Sequence, residues 1–290
     1  VVAVVHAAHL NDQIAAKAWW AMPSSDNARR MLYHKEVVEG ETGPKLAEYL
    51  VEFLPFEEEQ WAIGESVKLI LQPGLISDEA REKLWGQGKR KNTYLLGFLA
   101  ADPDELPLEV AASRAYAYAE EKLGDLGEAG NIYAQLLLRL LSAKGQAFLK
   151  TLDLVVKKPV NQDVVVGYLR VIQHYFQSIT PDCTPREGVN NTRLYAIEGS
   201  EVDMQSLIRL AADYIDEAND AAINDVLGKV PEFRKEIEGM LALSMVSERV
   251  VNPIFARTDA IGSLMRKKLE PVSGPLLELS KIIQTNPDFQ

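Results

Sequence analysis

Asp213, Asp216, Glu217 and Asp220 stand three and four residues apart. On one helix that spacing gathers carboxylates on a single face. Carboxylates so grouped can hold Mg²⁺ or Mn²⁺ against a phosphate, so the chemistry implied is metal-dependent hydrolysis of a phosphorylated small molecule. The helical wheel opposes it. At about 100° per residue, Met204, Leu207, Ile208, Ala211, Ile215 and Ala218 form one apolar stripe, and the acids centre on the opposite side. A catalytic site is recessed, whereas this face points outward. A solvated acidic face is therefore the leading reading, and the hydrolase is the alternative.

Other groups invite the same comparison. His6, His9 and Asp12 recur every three residues, and two imidazoles with a carboxylate can bind a transition metal. Neither a His-Glu-x-x-His nor a Glu-x-x-His pattern accompanies them. Cys183 follows His174 in the chain, but a thiol nucleophile needs spatial pairing with a base, and no Gly-x-Ser-x-Gly elbow occurs. The run Gly86-Gln87-Gly88-Lys89-Arg90-Lys91 offers glycines and cations to an anion or to RNA. It departs from the Walker pattern, because Arg90 follows Lys89 and only Gln87 separates the glycines. Trp19 and Trp20 are adjacent, so they diverge by about 100° on a helix and cannot both face one core. Aromatic and Arg side chains are favoured interface anchors. Trp19, Trp20, Arg29, Arg30, Lys89, Arg90 and Lys91 are thus the expected contacts to a protein partner.

Composition narrows the classes. The chain has 290 residues, 47% of them hydrophobic and 25% charged, which excludes wholesale disorder. Lys and Arg total 31 against 42 Asp and Glu, a net charge of −11 that argues against a nucleic-acid partner. One cysteine excludes an internal disulfide and a thiolate zinc site, and suits the cytoplasm. The apolar start from Val1 to Leu10 is short, interrupted by His6 and His9 and without basic residues, so no secretory signal is expected there. No run of about 18 apolar residues occurs, and no membrane partner is expected.

These side chains must be positioned by helices. Apolar residues recur at three and four almost throughout. The pattern predicts helices over 2–21, 25–39, 44–54, 58–72, 77–86, 90–101, 108–123, 127–142, 145–157, 161–179, 203–218, 220–228, 231–250, 253–269 and 274–284. Ser77 before Asp78 and Glu79 reads as an N-cap with acids in the first turn. Ser200 with Asp203 resembles a capping box, and Gly40 and Gly124 are candidate left-handed C-caps. Tyr49-Leu50-Val51-Glu52-Phe53-Leu54 resembles Tyr94-Leu95-Leu96-Gly97-Phe98-Leu99 at an offset of 45 residues, and Leu136 to Leu141 follows at nearly the same interval. That interval is similar to the period of HEAT-type helical repeats.

The expected fold is all-α: stacked antiparallel helical hairpins, as a HEAT-like repeat or a multi-helix bundle, ending in a C-terminal helical bundle. Residues 1–180 form the stack and 203–290 the bundle. Residues 181–202, rich in Pro, Gly and Asn, form a loop or linker with a short strand over 193–197. The expected function is a non-catalytic, soluble, cytoplasmic protein–protein interaction scaffold, adaptor or assembly factor without a cofactor. Its alternatives are the Mg²⁺- or Mn²⁺-dependent hydrolase and anion or RNA binding through the basic loop.

Overall fold

The structure, a computed structural model, describes residues 1–181, 202–217, 220–257 and 262–285. Cys183, the strand expected over 193–197 and Ser200 lie outside the described residues. Among the described residues all regular structure is helical, with seventeen α-helices, short 3-10 turns and no strand. The all-α expectation therefore holds. The chain divides into two compact units, Val1–Asp102 and Pro103–Gln290.

The first unit contains α1 (Val2–Val5), α2 (Asp12–Ala21), α3 (Ser25–Met31), α4 (Lys35–Val38), α5 (Thr42–Phe53), α6 (Gln60–Ile70), α7 (Asp78–Gly88) and α8 (Asn92–Ala101). The single helix expected over 2–21 is broken, because Asn11 caps α2 by accepting the Ile14 amide at 2.9 Å. Asp12 accepts the Glu41 and Thr42 amides at 3.2 and 3.0 Å, so a carboxylate caps the N-terminus of α5. His6 and His9 are exposed outside α2, and the metal-binding trio does not share a helix. Ser77 caps α7 as expected.

Every residue of α8 from Thr93 to Leu99 is buried. A helix apolar all round needs neighbours on several sides, and α6 and α7 supply them. Trp85 of α7 meets Phe98 edge-on at 5.0 Å. Gly97 lets α8 settle onto α6, since a Cβ there would lie 2.8 Å from the Gly64 carbonyl oxygen. The two runs matched at 45 residues sit at different depths: Phe98 is 1% exposed and Phe53 is 42% exposed. Their likeness is one of sequence and not of burial.

The second unit contains α9 (Tyr116–Glu128), α10 (Ile132–Leu141), α11 (Ala143–Lys157), α12 (Gln162–Phe176), α13 (Met204–Asp216), α14 (Ala221–Lys229), α15 (Arg234–Ser244), α16 (Asn252–Phe255) and α17 (Gly262–Thr285). The helix expected from residue 108 begins only at Tyr116. The segment before it is held by remote partners that periodicity cannot reveal. Arg139 forks onto Asp104 at 3.0 and 2.6 Å, Lys144 pairs with Glu105, and the Ser113 amide donates to the Leu141 carbonyl at 2.8 Å.

The boundary expected at 181–202 does not coincide with the division at Asp102 and Pro103. Helices from both sides of that segment share one core: α17 packs on α11 and α15, and α15 packs on α12 and α13. Gln284 reaches Asp153 at 3.1 Å, and the Tyr133 hydroxyl donates to Asp220 at 2.8 Å. A long stretch of loop composition shows where helices stop, but says nothing about which helices share a core. Two helices were expected over 253–284; the chain instead continues through Pro271 and Pro275 in α17. The buried stripe Met265, Leu269, Val272, Leu276, Leu279 and Ile283 runs past both prolines, and its burial offsets the missing backbone hydrogen bonds. Asp203 caps α13, accepting the Ser206 amide at 2.7 Å. Among the described residues positive φ falls at Gly74, Gly130 and Gly262, so neither Gly40 nor Gly124 is a left-handed cap.

Candidate partner-binding surface

The adjacent tryptophans of α2 diverge as helical geometry requires. Trp19 turns inward, half-buried, with its ring edge-on to Tyr49 of α5 at 4.8 Å. Trp20 is 87% exposed. Tyr49 stacks on Phe53, one turn further along α5, at 4.3 Å. Phe53 meets Phe56 at 6.2 Å with the rings tilted by 65°. Phe56 is carried by the 3-10 turn Leu54–Phe56, which buried Leu54 anchors, and is 78% exposed. Four aromatic rings thus form a continuous ladder that starts half-buried on α2 and ends in solvent. Each such pair contributes about 0.5–1.5 kcal/mol beyond area burial, so the ladder is braced internally while its far end stays uncovered.

Arg29 does not belong to this exposed surface. It is 6% exposed, and it donates to Glu57 Oε2 at 3.0 Å and Ser66 Oγ at 3.2 Å while pairing with Asp26. Its guanidinium lies 5.5 Å from the centroid of the Trp61 ring. The expectation that Arg29 is a partner contact is corrected: the side chain ties α3 to α6 and to the segment between α5 and α6. Arg30, one position on, is exposed. Nearby, the Tyr33 hydroxyl donates to Glu65 at 2.5 Å. Burial first, and the Glu65 carboxylate second, push this phenol well above its usual range.

Lys89, Arg90 and Lys91 are exposed, as a contact surface requires. The glycines beside them do not form a phosphate-cradling loop, because α7 continues through Gly88. Gly88 instead faces Leu95 of α8, and Lys91 lies 5.4 Å from the Tyr94 ring. Cations at this helix C-terminus are favoured by the macrodipole without any ligand.

The four acids of the hydrolase alternative do not converge. The helix ends at Asp216, so the spacing that would align all four stops short of Asp220. Asp216 pairs with Arg234 at 2.5 Å. Asp220 accepts from Tyr133 and from the Ala222 amide at 2.9 Å, capping α14. Asp213 is partly buried and Glu217 exposed. Among the described residues no group of three or more His, Cys, Asp or Glu is placed to hold a metal ion.

The second unit also carries an open groove of about 380 Å³, lined chiefly by Leu106, Leu108, Val110, Ala111, Ala143 and Ala147. Of the charged groups that line it, Asp104, Glu109 and Lys144, the first and last are engaged in the ion pairs with Arg139 and Glu105. It therefore resembles a seam between the 103–113 segment and α11 more than a reaction site.

No family model, curated protein or solved structure matches this chain. Among the described residues no helix is long and apolar enough to cross a membrane.

The sequence singles out Trp19 and Trp20 but not Tyr49, Phe53 and Phe56, the first two of which belong to the run matched at an offset of 45 residues. The signal was present. Tyr49 and Phe53 are four apart beside Glu48 and Glu52, also four apart, which is an aromatic row next to an acidic row on one helix.

Proposed function

We propose that this protein is a non-catalytic, cytoplasmic interaction scaffold, adaptor or assembly factor that binds another protein through the aromatic face of Val1–Asp102. The observation that carries this reading is the ladder Trp19–Tyr49–Phe53–Phe56, with Trp20 beside Trp19 on α2. Isolated exposed apolar residues are ordinary, whereas contiguous ones mark contact surfaces. Trp, Tyr and Phe are the side chains enriched at the centres of interfaces. The reading does not need a regular stack of HEAT-type hairpins; it needs a rigid helical platform, and the buried contacts of α5, α6 and α8 provide one.

The test is quantitative co-purification with the wild-type chain and with Trp20→Ser and Phe56→Ser chains. Both side chains are mostly in solvent, so the variants keep the wild-type circular dichroism spectrum. A stoichiometric protein that is retained by the wild type and lost from both variants is the expected result. Identical recoveries from all three would refute the reading.

A further inference from the structure

We infer that the partner presents a basic amphipathic segment, with Lys or Arg interleaved among large apolar side chains; this rests on the interaction-surface reading above. The ladder is apolar, but its surroundings are acidic. Between Lys45 and Lys68 the chain carries six glutamates and neither Lys nor Arg. Five of them, Glu48, Glu52, Glu57, Glu58 and Glu59, lie on α5 or in the segment leading to α6, the same stretch that carries Tyr49, Phe53, Phe56 and Trp61. Glu48, Glu52, Glu58 and Glu59 are exposed. The cations on the ladder helices, Lys17 and Lys45, precede Trp19 and Tyr49 in the chain, whereas Glu52, Glu57, Glu58 and Glu59 follow Tyr49 around Phe53 and Phe56.

The protein already contains one instance of this recognition. The Arg29 guanidinium sits against the Trp61 ring with Glu57 as its hydrogen-bonded counter-ion. A cation held between an aromatic face and a carboxylate is favoured by the ring quadrupole and by the ion pair together. Trp61 is itself 52% exposed, and its indole N–H donates to Glu59 at 2.6 Å. Phe53 and Phe56 with Glu52 and Glu58 repeat those ingredients without an internal cation among them in sequence. Apolar side chains of a partner helix would cover Phe53 and Phe56, and its cations would meet the flanking glutamates. An acidic partner, or an anionic membrane surface, would be repelled.

The probe is a fluorescently labelled synthetic amphipathic helix of Leu and Lys, compared by anisotropy with its Leu and Glu counterpart, on the full chain. The Lys peptide is expected to bind, and the Glu peptide to bind at least about tenfold more weakly. Joint replacement Glu52→Lys and Glu58→Lys is expected to weaken the Lys peptide about tenfold, and raising the salt to weaken it further. Phe56→Ser is expected to weaken it as well. Equal binding of both peptides, each weakened by Phe56→Ser, would overturn the basic partner while leaving the interaction surface standing. Binding of neither peptide, with co-purification still dependent on Phe56, would do the same. A Phe56-dependent dimer in sedimentation velocity would assign the face to a second copy of this chain, and Phe56-dependent flotation with neutral lipid vesicles would assign it to a membrane. Either result overturns the proposal.

Discussion

Gly64 and Gly97 face the same helix–helix contact, yet alanine should act in opposite directions at the two. A Cβ on Gly97 would lie 2.8 Å from the Gly64 carbonyl oxygen and 2.5 Å from Val67 Cβ. Ordinary contact begins near 3.4 Å, and the obstacles are a backbone oxygen and a stiff β-branched residue, so α8 must move away from α6. Overpacking of this kind costs about 1–3 kcal/mol, and the upper end applies because neither obstacle can rotate aside. Against it stands a gain of about 1 kcal/mol in helix propensity, leaving Gly97→Ala less stable by about 2 kcal/mol. At roughly 4–8 °C per kcal/mol for a unit of this size, the midpoint falls by about 8–16 °C. A Cβ on Gly64 would find Thr93 Cγ2 at 3.7 Å, Thr93 O at 3.8 Å and Leu96 Cδ2 at 4.0 Å, all normal contacts. Gly64→Ala therefore keeps the propensity gain and melts higher by roughly 4–8 °C. Thermal unfolding followed by circular dichroism on both variants decides the matter. Shifts of the same sign, or a Gly97→Ala chain as stable as the wild type, would refute the tight α6–α8 approach.

Three further outcomes follow from side chains that the fold has recruited. Arg29→Met leaves Glu57 and Ser66 without their buried donor and should cost about 1–3 kcal/mol, read as a lower midpoint in urea. Asp203→Ala removes the cap of α13 and should cost about 1 kcal/mol at neutral pH. The Ser206 amide, and after it the Ser206 hydroxyl, hold the Asp203 carboxyl below its usual range. A depressed pKa stabilises the fold above the unfolded value and loses that contribution as pH falls through the folded value. The gap between wild type and Asp203→Ala should thus be full at neutral pH and close below pH of about 4; a gap that persists in acid would exclude carboxylate capping. Tyr133→Phe should cost about 1–2 kcal/mol by stripping Asp220 of its phenol donor, with no loss if the Tyr133–Asp220 bond contributes nothing.

The elements were more legible than their arrangement. Caps such as Ser77 are local chemistry and could be read directly, as could the opposed faces of α13, where Met204, Leu207, Ala211 and Ile215 are buried and Asp216 and Glu217 are exposed. Misreadings arose wherever a remote residue intervened. Asp12 looked like a metal ligand beside His6 and His9, but it caps α5, which lies some thirty positions away. Arg29 and Arg30 look equivalent in sequence, and only the positions of Glu57, Ser66 and Trp61 separate a buried tie from an exposed cation. Tyr49 and Phe53 match Tyr94 and Phe98 in type and spacing, yet Tyr49 is half-buried and Phe53 exposed, whereas Tyr94 and Phe98 are core.

Residue order alone determines that this chain is helical, where many of its helices begin, and that it carries excess negative charge, because these follow from spacing along one strand of polymer and from counting. Tertiary structure alone decides which apolar rows are covered. α8 is enclosed by α6 and α7, whereas Phe53 and Phe56, at the outer end of the row that begins on α5, are exposed. Burial is a property of neighbours, and helix neighbours are chosen by contacts such as Gly97 on Gly64 and Asp12 on Thr42, between residues that local periodicity cannot connect.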